Sequence, residues 1–188
     1  MKHKKQADSP ISEHFQLIIE QIASLQKAKY KLPEFYSKKN IIFPPKISLE
    51  QCSSEATALL KSQLIKGKTL VDLTGGFGID VAFFVREFEQ VGYVERNEKL
   101  VEIVKHNFNI LGIKNVCFYK QDSEDFLREK INSNSNKIDV VYLDPARRNP
   151  EQKKIFQLSD CQPDVLELKE SLLKFAKKIL VKTSPILD

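Results

Sequence analysis

A glycine cluster and four acidic residues carry the chemistry of this 188-residue chain. Asp72 lies in a short apolar run, Thr69–Leu73, and Gly75, Gly76 and Gly78 follow at once. Glycines at such a place let the backbone turn tightly and approach a ligand closely, and the helix behind them aims its N-terminus at the same spot. The spacing is not GxGxxG, and no phosphate-binding lysine motif is present. An acid just before the turn would repel a pyrophosphate, so a ligand carrying positive charge at that end fits better. Glu95 ends the next apolar run, Val91–Glu95, 23 residues after Asp72. A carboxylate there can accept from both hydroxyls of a ribose diol. Asp122 follows a third run and is placed to accept from an adenine amine. Asp144 and Pro145 follow the fourth, Ile138–Leu143. Proline stiffens that loop, so the acceptors on it are preset.

Acids that follow successive strands converge on one edge of a parallel sheet, where ligands of open α/β sheets bind. The chain has the elements for this. Beyond Gly67, strands Thr69–Leu73, Val91–Glu95, Val116–Tyr119, Ile138–Leu143 and Ile179–Lys182 alternate with helices Phe77–Glu89, Asn97–Leu111, Ser123–Ile131 and Pro163–Lys178. That grammar predicts an α/β, Rossmann-like, doubly wound parallel sheet, with the apolar fourth strand central. Ahead of it, residues 1–66 read as a basic helical region. Residues 1–8 read as disordered, and a helix opens at Ser9-Pro10 with an apolar stripe at Ile11, Phe15, Ile18, Ile22 and Leu25. A proline-rich connector without regular structure spans 33–47. A capping box at Ser48–Gln51 then opens one helix to about Ile65. Residues 67–188 are the core. Its end just after the fifth strand leaves an uncovered flank, so the core reads as truncated, with its C-terminal strands missing.

The positively charged ligand that suits this edge is S-adenosylmethionine, and the resemblance to known families points the same way. Asp72-Leu-Thr74-Gly-Gly76-Phe-Gly78-Ile-Asp80, Glu95-Arg96-Asn97 and Tyr142-Leu143-Asp144-Pro145 resemble motifs of bacterial small-subunit ribosomal RNA guanine-N2 methyltransferases. Those are class I, S-adenosylmethionine-dependent enzymes. The likeness implies that Asp72, Thr74, Gly75, Gly76, Gly78, Asp80, Glu95, Arg96, Asp122 and Asp144 hold the cofactor. It implies that Asp144 and Pro145 hold the base. Ser48–Ala56, Asp144-Pro-Ala-Arg-Arg148 and Lys182-Thr-Ser-Pro185 look like motifs of bacterial methyltransferases with a THUMP-like C-terminal domain. THUMP domains bind RNA, so this likeness implies an RNA substrate.

Ala146-Arg147 stands where a second proline and an aromatic are usual in base-methylating enzymes. Arg147 can stack by its guanidinium plane or grip a phosphate. Uridine-C5 methyltransferases also carry Asp-Pro-Ala-Arg, but need a nucleophilic cysteine near the next strand. The sequence there, Val181-Lys-Thr-Ser-Pro185, has none. The expected reaction is therefore methylation of an exocyclic purine amine in RNA. Methylation of a small molecule or protein, and a cofactor-binding accessory module without turnover, are the rivals. A sharper expectation is that the 51–55 segment covers the cofactor mouth, with Gln51 or Glu55 lining it.

Charge suits either a polyanionic partner or a solvated Lys-rich helix surface. The net charge is +5, and residues 1–66 hold it all, with eleven lysines against six acids. Neutralised phosphates release counterions, which favours such a surface. Cys52, Cys117 and Cys161 lie far apart, as do the three histidines, so no metal site is expected. No apolar run is long enough to span a membrane, and no apolar signal core follows the basic start, so a cytoplasmic protein is expected.

Overall fold

A computed structural model describes residues 10–133, 136–147 and 161–183. Five strands form one parallel sheet: β1 (Thr69–Asp72), β2 (Gln90–Val94), β3 (Val116–Tyr119), β4 (Ile138–Leu143) and β7 (Ala176–Val181). Their order is β3-β2-β1-β4-β7. Val71 pairs with Gly92 on one side and with Val141 on the other. A separate two-stranded antiparallel ladder joins β5 (Ala146–Arg147) to β6 (Cys161–Gln162). The expected doubly wound sheet is met. The middle strand, however, is β1, with β4 one place over and paired on both sides.

Alternation along the strands builds two cores, one on each face, because successive side chains point to opposite sides. Leu70, Val140 and Tyr142 face α4 (Glu55–Leu64), α5 (Ile79–Phe84) and α6 (Glu98–Ile110). Val71, Val141 and Leu143 face α7 (Ser123–Asn132) and α8 (Val165–Phe175). Asn97 and Asp164 cap α6 and α8 by accepting from backbone N–H groups at their first turns.

The N-terminal region packs into the first of these cores. Ala28 and Leu32 of α1 (Pro10–Lys31), Phe35 of α2 (Pro33–Ser37) and Leu49 of α3 (Lys46–Gln51) share it with Phe77 and Phe84. Polar side chains hold the 40–45 segment, which has no ladder partner of its own. The Gln21 amide exchanges bonds with the Phe43 backbone, Ser24 Oγ donates to Pro44 O, and the Asn107 amide exchanges bonds with Ile42. These contacts select the face of α1 that is buried. Phe15 (63% exposed), Ile18 and Ile22 therefore lie outward, and the predicted stripe is not the packing face.

Three further expectations differ. The 33–47 connector contains α2 and the start of α3. The single helix expected over 48–65 is two helices, α3 and α4, parted at Cys52-Ser53-Ser54. Ser54, not Ser48, is the side-chain cap, accepting from Thr57 N at 3.2 Å. Strand β7 begins at Ala176, three residues before the expected start. Lys177 and Lys178 continue the helical pattern of α8 in sequence, but β4 draws them into the ladder, with Lys178 opposite Val140. The disorder expected for residues 1–8 and the chain end after Thr183 fall outside the described residues. Among the described residues no helix is long and apolar enough to cross a membrane.

Candidate active site

The C-terminal ends of the strands open into a cleft of about 1030 Å³. The turn between β1 and α5 forms one wall. Gly76 and Gly78 there have φ of 51° and 74°, left-handed values that disfavour any side chain. Gly75 is required for space, because a Cβ would sit 2.4 Å from the Tyr93 ring. Tyr93 in turn donates to Gly76 O at 2.6 Å and braces the turn from below. Thr74, Gly75, Gly76 and Gly78 all line the cleft.

Glu95 and Asp122 form the far wall, after β2 and β3. Glu95 is held by two backbone donors. Gly76 N gives to Oε2 at 3.0 Å and Asn97 N to Oε1 at 2.8 Å. Each oxygen keeps a lone pair, which suits a fixed acceptor for a diol. Asp122 precedes α7 without capping it, and it faces Arg96 at 3.6 Å. Both are more than half exposed, so this pair is weak and open to exchange.

Asp72 is placed differently. It is buried behind the turn and is not among the residues lining the cleft. Its Oδ1 accepts from Thr74 N at 2.8 Å and Thr74 Oγ1 at 3.1 Å. Thr74 Oγ1 then accepts from Asp144 N at 2.7 Å. One hydroxyl thus ties the end of β1 to the end of β4. Burial pushes the Asp72 carboxyl up to about 8, and the charge of Asp80 adds to the rise.

Asp80 belongs to a buried network on the cleft floor. Lys61 of α4 reaches across to pair with Asp80 Oδ1 at 2.5 Å. The same ammonium donates to Ser53 Oγ at 2.8 Å and to Tyr142 Oη at 2.7 Å. Ser53 and Tyr142 both donate onward to Asp80 Oδ2. The lysine makes two hydrogen bonds and one ion pair, the kind of pairing under which a buried charge is tolerated, while Asp80 Oδ1 has the ion pair and no hydrogen bond. Sequence reasoning named Asp80 but missed Lys61, and it quoted Ser53 and Tyr142 only within longer motifs, with no role of their own. The only trace of Lys61 was a lysine in a helix whose neighbours are apolar.

Asp144 and Pro145 line the cleft at the end of β4, beside Cys161, Gln162 and Pro163. Lys182, just past β7, donates to Asp144 Oδ2 at 2.6 Å. Burial raises the Asp144 carboxyl, and Lys182 opposes the rise. Lys182 was quoted in a motif but given no role. The Arg147 side chain and Arg148 lie outside the described residues.

Gln51 lines the cleft as expected, together with Ser48, Cys52 and Ser53. Glu55 does not. It turns away and accepts from Glu34 N and Phe35 N at 2.9 and 3.0 Å, capping α2. Two free N–H groups at that helix start outcompete solvent for the carboxylate. Burial lifts the Cys52 thiol to about 11, so it is not a thiolate nucleophile. Among the described residues no cluster of His, Cys, Asp or Glu could hold a metal.

A family model described as conserved hypothetical protein 95 matches residues 54–175. A candidate methyltransferase from Porphyromonas gingivalis, known as a crystal structure, superposes with a TM-score of 0.80 at 33% identity. The match covers 97% of this chain and 44% of that one. An uncharacterised RNA methyltransferase of Bacteroides thetaiotaomicron is 35% identical over 89 residues, 47% of this chain and 20% of its own. Another, from Mycoplasma mobile, is 30% identical over 109 residues, 56% of this chain and 29% of its own. The chain therefore spans less than a third of the curated relatives it matches. The parallel sheet and this superposition make the fold that of a Rossmann-like class I methyltransferase.

Proposed function

The chain belongs to the family described as conserved hypothetical protein 95, and from that premise we propose that it is an S-adenosylmethionine-dependent RNA methyltransferase acting on an exocyclic amine of a purine base. One observation carries the reading: the glycine turn, Glu95, Asp122 and the Asp144–Pro145 loop all border a single cleft at the C-terminal edge of the sheet. The donor set fits the cofactor. The backbone at Gly76 is open to the cleft, since a Cβ there would meet nothing closer than Thr74 O at 3.6 Å. Glu95 is oriented for the ribose hydroxyls, and Asp122 for the adenine amine. When bound, S-adenosylmethionine supplies a methyl group on a positively charged sulfur that leaves as a neutral thioether.

The residues of the chain orient the nucleophile. An exocyclic amine attacks poorly because its lone pair is delocalised into the ring. Asp144 accepts one N–H, a backbone carbonyl of the Asp144–Pro145 turn accepts the other, and the lone pair is then directed at the methyl group. Asp144 also takes the proton that the methylated nitrogen releases. Asp72 acts at one remove, through Thr74, by fixing the end of β4. RNA as substrate is supported by the names of the two curated relatives and by the lysine excess of residues 1–66. Guanine N2 as the target and a THUMP-like RNA-binding portion rest on the motif likeness.

The test is transfer of tritiated methyl from S-adenosylmethionine to total RNA, with and without ribonuclease. Ribonuclease-sensitive label is expected, falling by about 10²–10³-fold in Asp144→Asn, the loss typical of one preorganised transition-state contact. Label that resists ribonuclease, or equal transfer by the variant, would overturn the reading.

A further inference from the structure

Asp144 sits in a place that opposes its own charge. It is largely buried, and Asp80 of α5 adds negative potential nearby. Tyr142 of β4 and Cys52 of the α3–α4 turn also face it electrostatically, and both are held neutral by burial. Two cations are close. Lys61 of α4 is one, but it is already paired with Asp80 and hydrogen-bonded to Ser53 and Tyr142. Lys182 is the other, and its ammonium goes to Asp144 Oδ2 at 2.6 Å. The sheet fixes this match. Val181 lies opposite Leu143 in the β4–β7 ladder, and Lys182 N donates to Leu143 O at 2.9 Å. The two residues that follow the paired ends, Lys182 and Asp144, are therefore neighbours by register. Among the described residues no donor meets Asp144 Oδ1.

We propose that Lys182 is a positioning residue for methyl transfer, holding Asp144 by Oδ2, in its ionised form, so that Oδ1 remains the acceptor for the substrate amine. The inference rests on the amine-methylating reading of Asp144. It assigns a role to Lys182, which lines the cleft beside Asp144. A neutral carboxyl could neither accept the amine N–H as strongly nor take up the proton that the product nitrogen releases. Without Lys182, burial favours that neutral form.

The experiment is a carbon-13 titration of the Asp144 carboxyl in the whole chain, assigned with Asp144→Asn, alongside the pH profile of methyl transfer. Lys182→Met is expected to raise the Asp144 midpoint by about one pH unit or more, and Lys182→Arg to restore it. The acid limb of the rate profile should move by the same amount, so that below it the rate drops about tenfold per unit. Lys182→Gln, which keeps the stem and a donor, serves as a second neutral variant if Lys182→Met folds poorly. Equal midpoints in the wild type and both neutral variants would overturn the proposal. The titration needs no substrate. If Asp144→Asn transfers methyl groups as well as the wild type while the midpoints still shift, the functional reading fails and the Lys182–Asp144 coupling stands.

Discussion

At the N-terminal ends of the strands, Asp139 accepts from Lys68 N, Thr69 N and Lys177 Nζ. At the C-terminal ends, Asp72 and Asp144 meet fewer donors, and Asp72 is buried. The same side chain is therefore driven in opposite directions. The Lys177 bond and the two backbone donors hold Asp139 well below the usual carboxylate range. Burial raises Asp72 and Asp144. The lower edge uses a carboxylate to clamp β1, β4 and β7 together. The upper edge keeps carboxylates that are costly to ionise, which is how groups with chemical work to do are commonly placed.

The sharpest way to break this contrast is Lys61→Met, because it strands Asp80 beneath the cleft. Removing one partner of a buried pair costs roughly 3–5 kcal/mol, so denaturant unfolding should show a loss of that order. A loss no larger than that of a surface lysine would mean that the floor network does not support the upper edge.

Asp72→Asn has the next largest effect, and its sign depends on pH. Asparagine keeps an oxygen for the Thr74 donors and removes the charge. The folded carboxyl titrates near 8, above its ordinary 3.8, so its favourable contribution is complete below about 4 and is lost as the pH rises through 8. The variant should gain stability relative to the wild type across that window, by on the order of a few kcal/mol, and no further above it. Unfolding midpoints that run parallel from pH 4 to 9 would contradict the burial argument.

Asp139→Asn should do the reverse, and more weakly, because its ion-pair partner Lys177 is 62% exposed. The folded carboxyl lies below its ordinary value, so its contribution is present above that range and is lost as the pH falls through the folded value. The variant should be less stable than the wild type at neutral pH, with the gap closing in acid. A gap that widens in acid would remove the distinction between the two edges.

The upper edge was legible in the sequence wherever a residue is defined by its place along one strand and its turn. Gly76, Gly78, Glu95, Asp122 and Asp144 were found because an acid or glycine that ends an apolar run must lie at the strand end. Lys61 and Lys182 were not found as site residues, because their partners lie 81 and 38 residues away. Helical or strand period carries no information about such pairs; sheet order and register create them. Glu55 shows the complementary error. Its neighbours Cys52 and Ser53 do line the cleft, but a helix start 20 residues upstream offered two unpaired N–H groups and took the carboxylate. The boundaries of β7 were misread because Lys177 and Lys178 satisfy a helix surface as well as an edge strand.

The central claim is that the cleft at the upper edge holds S-adenosylmethionine between the glycine turn and Glu95. Calorimetric titration of the chain with that ligand, beside Glu95→Ala, tests it most directly. The account predicts a dissociation constant on the order of micromolar, weakened about tenfold or more in the variant through loss of the charged acceptor for the ribose hydroxyls. Absence of binding by the folded wild-type chain, or equal binding by the two, would contradict it.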